Sequence, residues 1–342
     1  MNAKELHADA IVVDSHNDLP VLLLLRNTSL GPQGVERYWN ERWVPEARAG
    51  GVNVQVLPIY ISPHEAEASL RNTLLQLEAL EREAALTPEV ALCRTGAEID
   101  AAVATGKVAL LLALEGTSGI GIDIELFSVF HRLGIRLASF THWSRAMLAD
   151  GSADEDAGSR LPASGVRALA ELERLGILLD VSHLAAPAID HALELATRTL
   201  VATHSSARAL CDHHRNLSDE HLRGIAATGG VIGINVLPTF IDAENPTLER
   251  VIDHIEHVVE VAGVDHVGLG PDFIKEWFDA VYPQYDAFLA LGGIDMKAAV
   301  PGMAHTRDLP NVTAKLVERG WPEAHVRKVL GENWLRVFRD TV

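Results

Sequence analysis

The chain has little cysteine, little positive charge and no long apolar run. Its 342 residues include two cysteines, Cys93 and Cys211, too few for a disulfide framework. Lysine and arginine number 29 against 47 aspartates and glutamates, a formal net charge of −18. Nucleic acid and anionic membrane both require positive potential, and no basic cluster offsets the deficit, so neither is expected as a partner. Leu22 to Leu25 is too short to cross a bilayer, and Met1-Asn2-Ala3-Lys4-Glu5 lacks the apolar run of a signal peptide. The expectation is a soluble, cytoplasmic protein. No Gly-x-Gly-x-x-Gly turn follows the first apolar run, which disfavours an open doubly wound sheet. No low-complexity segment or linker divides the chain, so residues 1–342 read as a single domain.

What is present is alternation. Hydrophobic residues make up 48% of the chain, enough for a large core, and short apolar runs alternate with segments of helical period. The runs are 10–13, 51–58, 108–114, 135–141, 177–181, 200–203, 230–236 and 266–270. Leu70, Leu74, Leu77, Leu80 and Ala84 fall on one helix face, and Leu248, Val251, Ile252, Ile255, Val258, Val259 and Ala262 form a second stripe. Further helices are expected over 163–175 and 186–197. Eight strands separated by helices predict an α/β fold, a (β/α)8 TIM-like barrel. Two helices, 311–319 and 323–339, follow from about residue 309, with Pro310 and Pro322 near their starts, where proline is tolerated. A polar loop over 26–50 carries Tyr38, Trp39 and Trp43, expected at the site entrance.

In such a barrel the C-terminal strand ends converge on the active site. The first run ends in Asp14-Ser15-His16-Asn17-Asp18-Leu19-Pro20. His16 and Asp18, two apart in extended backbone, point the same way and suit a metal that takes N and O ligands. Later runs end in Glu115, His142, His183, His204 and Asp272. So many histidines and carboxylates at one mouth call for a cation. The inventory suggests two metals, one held by His16 and Asp18 and one by His183 and His204, with Glu115 bridging. Two divalent ions about 3.5–4 Å apart share a water and lower its pKa toward 7. Asp272 then acts as the base that takes the water's proton and returns it to the leaving amine. His142 polarises a carbonyl or stabilises the oxyanion. Arg215, eleven residues beyond His204, suits a two-point grip on a free carboxylate. A solvated loop arginine or a salt-bridge partner fits its sequence position equally well.

These stretches resemble the membrane (renal-type) dipeptidases, peptidase family M19, of the amidohydrolase superfamily. The resemblance is carried by 14–20, Leu114-Glu115-Gly116, 179–183, Thr203-His204-Ser205-Ser206-Ala207-Arg208, 215–219, Gly268-Leu269-Gly270-Pro271-Asp272-Phe273, 309–313 and 329–338. It implies two zinc ions in a TIM-like barrel and hydrolysis of dipeptides; the open metal side of the site and Arg215 point to substrates that include L-Xaa-D-Xaa. The resemblance places His16 and Asp18 on the first zinc, His183 and His204 on the second, and Glu115 between them. His142 contacts the scissile carbonyl, Arg215 the substrate carboxylate, and Asp272 shuttles the proton. Many relatives bridge their metals with a carboxylated lysine; here no lysine stands at a strand's C-terminal end, in agreement with a glutamate bridge. Pro271 before Asp272 and Ile274-Lys275 after it depart from the pattern. They mark 274–300, with Trp277, Phe278, Tyr282, Tyr285 and Phe288, as an expected specificity element folding over the mouth. The departures keep a second substrate class open: N-acyl amino acids, lactams or esters. A homodimer is the assembly left open.

Overall fold

The computed structural model describes residues 2–19, 39–61, 68–157, 159–276, 290–291, 294–295 and 297–342. The strands are β1 (Val12–Asp14), β2 (Val52–Tyr60), β3 (Val90–Leu92), β4 (Val108–Glu115), β5 (Ile135–Ser139), β6 (Leu178–Asp180), β7 (Leu200–Val201), β8 (Ile232–Ile234) and β9 (Val267–Leu269). All eight expected runs contain a strand. The additions are β3, which pairs with the first half of β4 while β5 pairs with its second half, and a separate antiparallel pair, β10 (Ala290–Leu291) with β11 (Ile294–Asp295).

The order β1-β2-β4-β5-β6-β7 is parallel throughout. An isolated parallel bridge from Ala202 to Ile232 carries the sheet on to β8, which pairs with β9. Ser15 N donates to Leu269 O at 3.1 Å and returns the curl to β1. The result is the TIM-like barrel. β4, Val-Ala-Leu-Leu-Leu-Ala-Leu-Glu, is buried along its whole length, as a parallel strand covered on both faces must be. Inside, Ser15 Oγ donates to both Thr203 O (2.6 Å) and Leu269 O (2.8 Å). Gly233 and Gly270 leave space for that approach: a Cβ on either meets Thr203 O at 2.1 or 1.7 Å.

The helices follow the sequence closely where the apolar stripe is strong. Ala163–Leu175 ends at Gly176 in left-handed backbone (φ 73°), the conformation in which a glycine stop is cheapest. Leu248–Ala262 starts at Thr247, whose hydroxyl accepts from Arg250 N. Ser69–Leu86, Ala186–Leu195 and Pro310–Glu318 also lie where expected.

One expectation is corrected. Residues 39–49 are helical, a wide turn Trp39–Trp43 running into Val44–Ala49. The Trp39 and Trp43 rings lie 4.9 Å apart, tilted by 41°, within the apolar core and not at the site entrance; indole area is worth more buried than lining a polar mouth. The last helix runs where expected, Glu323–Arg327 continuing through a π-helical turn, Lys328–Glu332, into Asn333–Thr341. Gly331 sits there because a Cβ would stand 2.4 Å from Ile11 O. Tyr38, and the aromatic residues expected over the mouth at 277–288, lie outside the described residues.

Candidate metal centre

Four histidines that follow strands converge on one carboxylate. Glu115 Oε1, at the end of β4, lies 2.9 Å from His183 Nε2, 3.4 Å from His16 Nε2, 3.5 Å from His204 Nε2 and 4.0 Å from His142 Nε2. His16 Nε2 is 3.7 Å from Asp18 Oδ1. His183 and His204 face one another, Nε2 to Nε2, at 2.8 Å. Three ligand groups emerge: His16, Glu115 and His204; Glu115, His142 and His183; and His16, Asp18 and Asp272, the donor atoms of each within 4.8 Å of one another. All seven N and O donors named from the sequence therefore meet in one mouth.

Distance alone does not separate ligands from reacting groups. The His142 side chain is 29% accessible, while those of His16, Glu115, His183 and His204 are 6% or less. His142 forms the rim, its ring 4.4 Å from that of Tyr60 and 4.3 Å from that of His183.

The electrostatics are those of a cation site. Burial, with Asp18, Asp272 and Asp180 nearby, pushes the Glu115 carboxyl up to about 8. Burial and the charge of Asp18 raise Asp272 to about 7. Burial opposes the charged form of His16, but Glu115 and Asp18 outweigh it and raise that imidazole to about 10. Burial drives His183 and His204 well below 6.5 and His142 to about 3, so these three are neutral, with lone pairs to give. Neutral imidazoles facing a shared carboxylate are the donor set that divalent zinc-like ions take. The residues present fit such ions.

Groups behind the ligands hold them. Asp180, at the end of β6, accepts from Ser182 N and Thr203 N, both at 2.9 Å, and from Thr203 Oγ1 at 2.5 Å. The same hydroxyl lies 2.8 Å from His204 Nδ1. Asn235, just beyond β8, donates from Nδ2 to Asp272 Oδ2 at 2.9 Å. Asp180, Thr203 and Asn235 carry no role in the sequence reading, although each stands at the polar end of an apolar run, the one signal that marks them. Among the described residues, His183 (φ 71°) and Asp272 (φ 58°) are the non-glycine residues with left-handed backbone, a local cost that clusters at functional sites.

Arg215 is buried, which removes the solvated-loop alternative. Its Nη2 donates to His204 O at 3.0 Å and stands 3.5 Å from His183 Nε2. Burial lowers its pKa from the usual guanidinium range to about 10, still a cation at neutral pH.

A family model, described as membrane dipeptidase (peptidase family M19), matches residues 1–282 and 287–342. Dipeptidase verJ of Clonostachys rogersoniana is 28% identical over 363 residues, covering 98% of this chain and 85% of that protein. A metallopeptidase of Rhodobacter sphaeroides, solved with a phosphinate mimic of the dipeptide L-Ala-D-Ala, superposes with a TM-score of 0.83 at 29% identity. The match covers 98% of this chain and all (100%) of the other. An amidohydrolase of Pseudomonas aeruginosa gives 0.80 at 26% identity, over 100% of this chain and 99% of the other. The chain belongs to the membrane dipeptidase family, peptidase family M19, and is a metal-dependent dipeptide hydrolase.

Proposed function

We propose that this enzyme hydrolyses free dipeptides at a dinuclear zinc centre and accepts a D-residue at the C-terminal position. One observation carries the reading: a single oxygen, Glu115 Oε1, lies within 4.0 Å of the Nε2 atoms of four histidines. His16 and Asp18 would hold one ion and His183 and His204 the other, with Glu115 within reach of both. Bound there, the two ions supply Lewis acidity toward the scissile carbonyl and acidify water.

This chain's own side chains do the rest. Asp272, held through Oδ2 by Asn235, takes the proton from attacking water and delivers it to the leaving amine. His142, neutral and on the rim, donates to the oxygen on which charge develops. Arg215 grips the substrate's free carboxylate and so admits dipeptides in preference to longer peptides. The solved relative bound to an L-Ala-D-Ala mimic supports the D-residue tolerance. The two ends of the chain packed onto the same barrel support one domain over 1–342: His7 Nδ1 bonds Thr313 Oγ1 and Gly96 N donates to Val342 O. The buried free thiols Cys93 and Cys211 support a reducing, cytoplasmic location.

The test is kinetic profiling with zinc-loaded protein over dipeptides carrying L or D at each position, beside amidated dipeptides, N-acyl amino acids and lactams. The expected result is turnover confined to free dipeptides, D-residues at the second position included. Turnover of N-acyl amino acids or lactams but no dipeptide contradicts it.

A further inference from the structure

A small cavity lies beside His183 and Arg215 and is not lined by Glu115. Leu184, Ile189 and Leu217 form its apolar wall, and His183, Arg215, Ser205 and Asn216 bring polar atoms to it. About 10 Å³ is open to the centre of a water molecule, about one water's worth.

Four polar atoms on these side chains have no hydrogen-bond partner in the protein: His183 Nδ1, Arg215 Nε, Ser205 Oγ and Asn216 Oδ1. Their residues are 6%, 3%, 1% and 2% exposed. Burial without a partner is costly for each, and four around one cavity point to a shared partner. The remaining bonds fix which way each atom faces. His183 commits Nε2 to the Glu115 and His204 side, at 2.9 and 2.8 Å. Asn216 donates both Nδ2 hydrogens, to Cys211 O and Phe240 O, each at 2.8 Å, so its Oδ1 is an acceptor. Arg215 spends Nη2 on His204 O.

We infer that this cavity is a binding site for one ordered water that ties the metal ligand His183 to the carboxylate grip Arg215. The water accepts from His183 Nδ1–H and Arg215 Nε–H and donates to Asn216 Oδ1 and Ser205 Oγ. Two donors and two acceptors satisfy its tetrahedral capacity. An imidazole that ligates a metal through one nitrogen needs an acceptor for the hydrogen on the other, and at His183 nothing in the protein supplies it. Ser205 and Asn216 are therefore positioning residues. They act through the water on the orientation of His183 and, through the same molecule, on the guanidinium plane of Arg215. The inference rests on the roles proposed above for His183 and Arg215, but its first test needs no turnover.

The experiment is a high-resolution crystal structure of the metal-loaded enzyme, joined to metal titration of Ser205→Val, whose methyl groups fill the cavity. The structure should show a single water within hydrogen-bond reach of His183 Nδ1 and Arg215 Nε. In Ser205→Val, the weaker metal dissociation constant should rise about tenfold or more. KM for free dipeptides should rise while constants for amidated dipeptides stay nearer those of the parent. An empty cavity, or a direct bond from His183 Nδ1 to Ser205 or Asn216, overturns the inference. So does a folded Ser205→Val with unchanged metal affinity. If that variant does not fold, Ser205→Ala, which removes only the hydroxyl, must shift metal affinity in the same direction. Failure of the dipeptidase reading shows separately, as a parent enzyme that binds metal and the ordered water but turns over no dipeptide.

Discussion

The Thr203 hydroxyl stands between Asp180 and His204, 2.5 Å from Oδ2 of the first and 2.8 Å from Nδ1 of the second. An ionised carboxylate only accepts, so Thr203 donates to Asp180 and its lone pair receives the Nδ1–H of His204. That fixes the tautomer and leaves His204 Nε2 bare toward Glu115. Thr203→Val keeps the shape and removes the relay. Metal affinity should fall about 10–100-fold, read by competition with a chelator; unchanged affinity contradicts the relay.

Asp272 sits in left-handed backbone with Oδ2 held by Asn235. Asp272→Asn keeps size and most contacts but cannot take a proton. A fall in kcat of about 10²–10⁴-fold is expected, with two metals still bound by elemental analysis. Full activity removes the shuttle.

Arg215 is buried against His204 O and lies 5.6 Å from the centre of the Phe240 ring. Arg215→Ala should lower kcat/KM for free dipeptides about 10–100-fold more than for amidated ones, the worth of a hydrogen bond to a charged group. Equal losses for both substrates contradict the carboxylate grip.

His254 offers a stability test away from the metals. Its Nδ1 accepts from Ala207 N at 3.0 Å, and its Nε2–H donates to Ile241 O at 2.9 Å, so the ring is neutral. Burial lowers it from 6.5 to about 4. Between those values the unfolded chain binds the proton and the folded one does not, so stability falls as pH drops from 6.5 toward 4. The share from this ring is about 3 kcal/mol at most. Urea unfolding at pH 7 and pH 5 should show a smaller pH-dependent loss in His254→Gln than in the parent. An equal loss contradicts the assignment.

The barrel and the side chains gathered at its mouth were legible because one local rule governs both: an apolar run fixes a buried strand, and the polar residue after it faces the mouth. Glu115, His183 and His204 follow it directly. The rule says nothing of which polar neighbour holds which ligand, and so Thr203, Asp180 and Asn235 passed without a role. Short helices such as Gly96–Ala104 and Asp219–Ala227 went unread for want of a long apolar stripe. The close approach at Gly331 depends on Ile11, more than three hundred residues away in sequence, which no local pattern carries.

The central claim is that two ions share Glu115. Anomalous X-ray diffraction at the zinc edge, on crystals of active zinc-loaded enzyme, tests it most directly. The account predicts two peaks about 3.5–4 Å apart, one beside His16 and Asp18, the other beside His183 and His204, with Glu115 between. A single peak, or none, in a fully active crystal contradicts it.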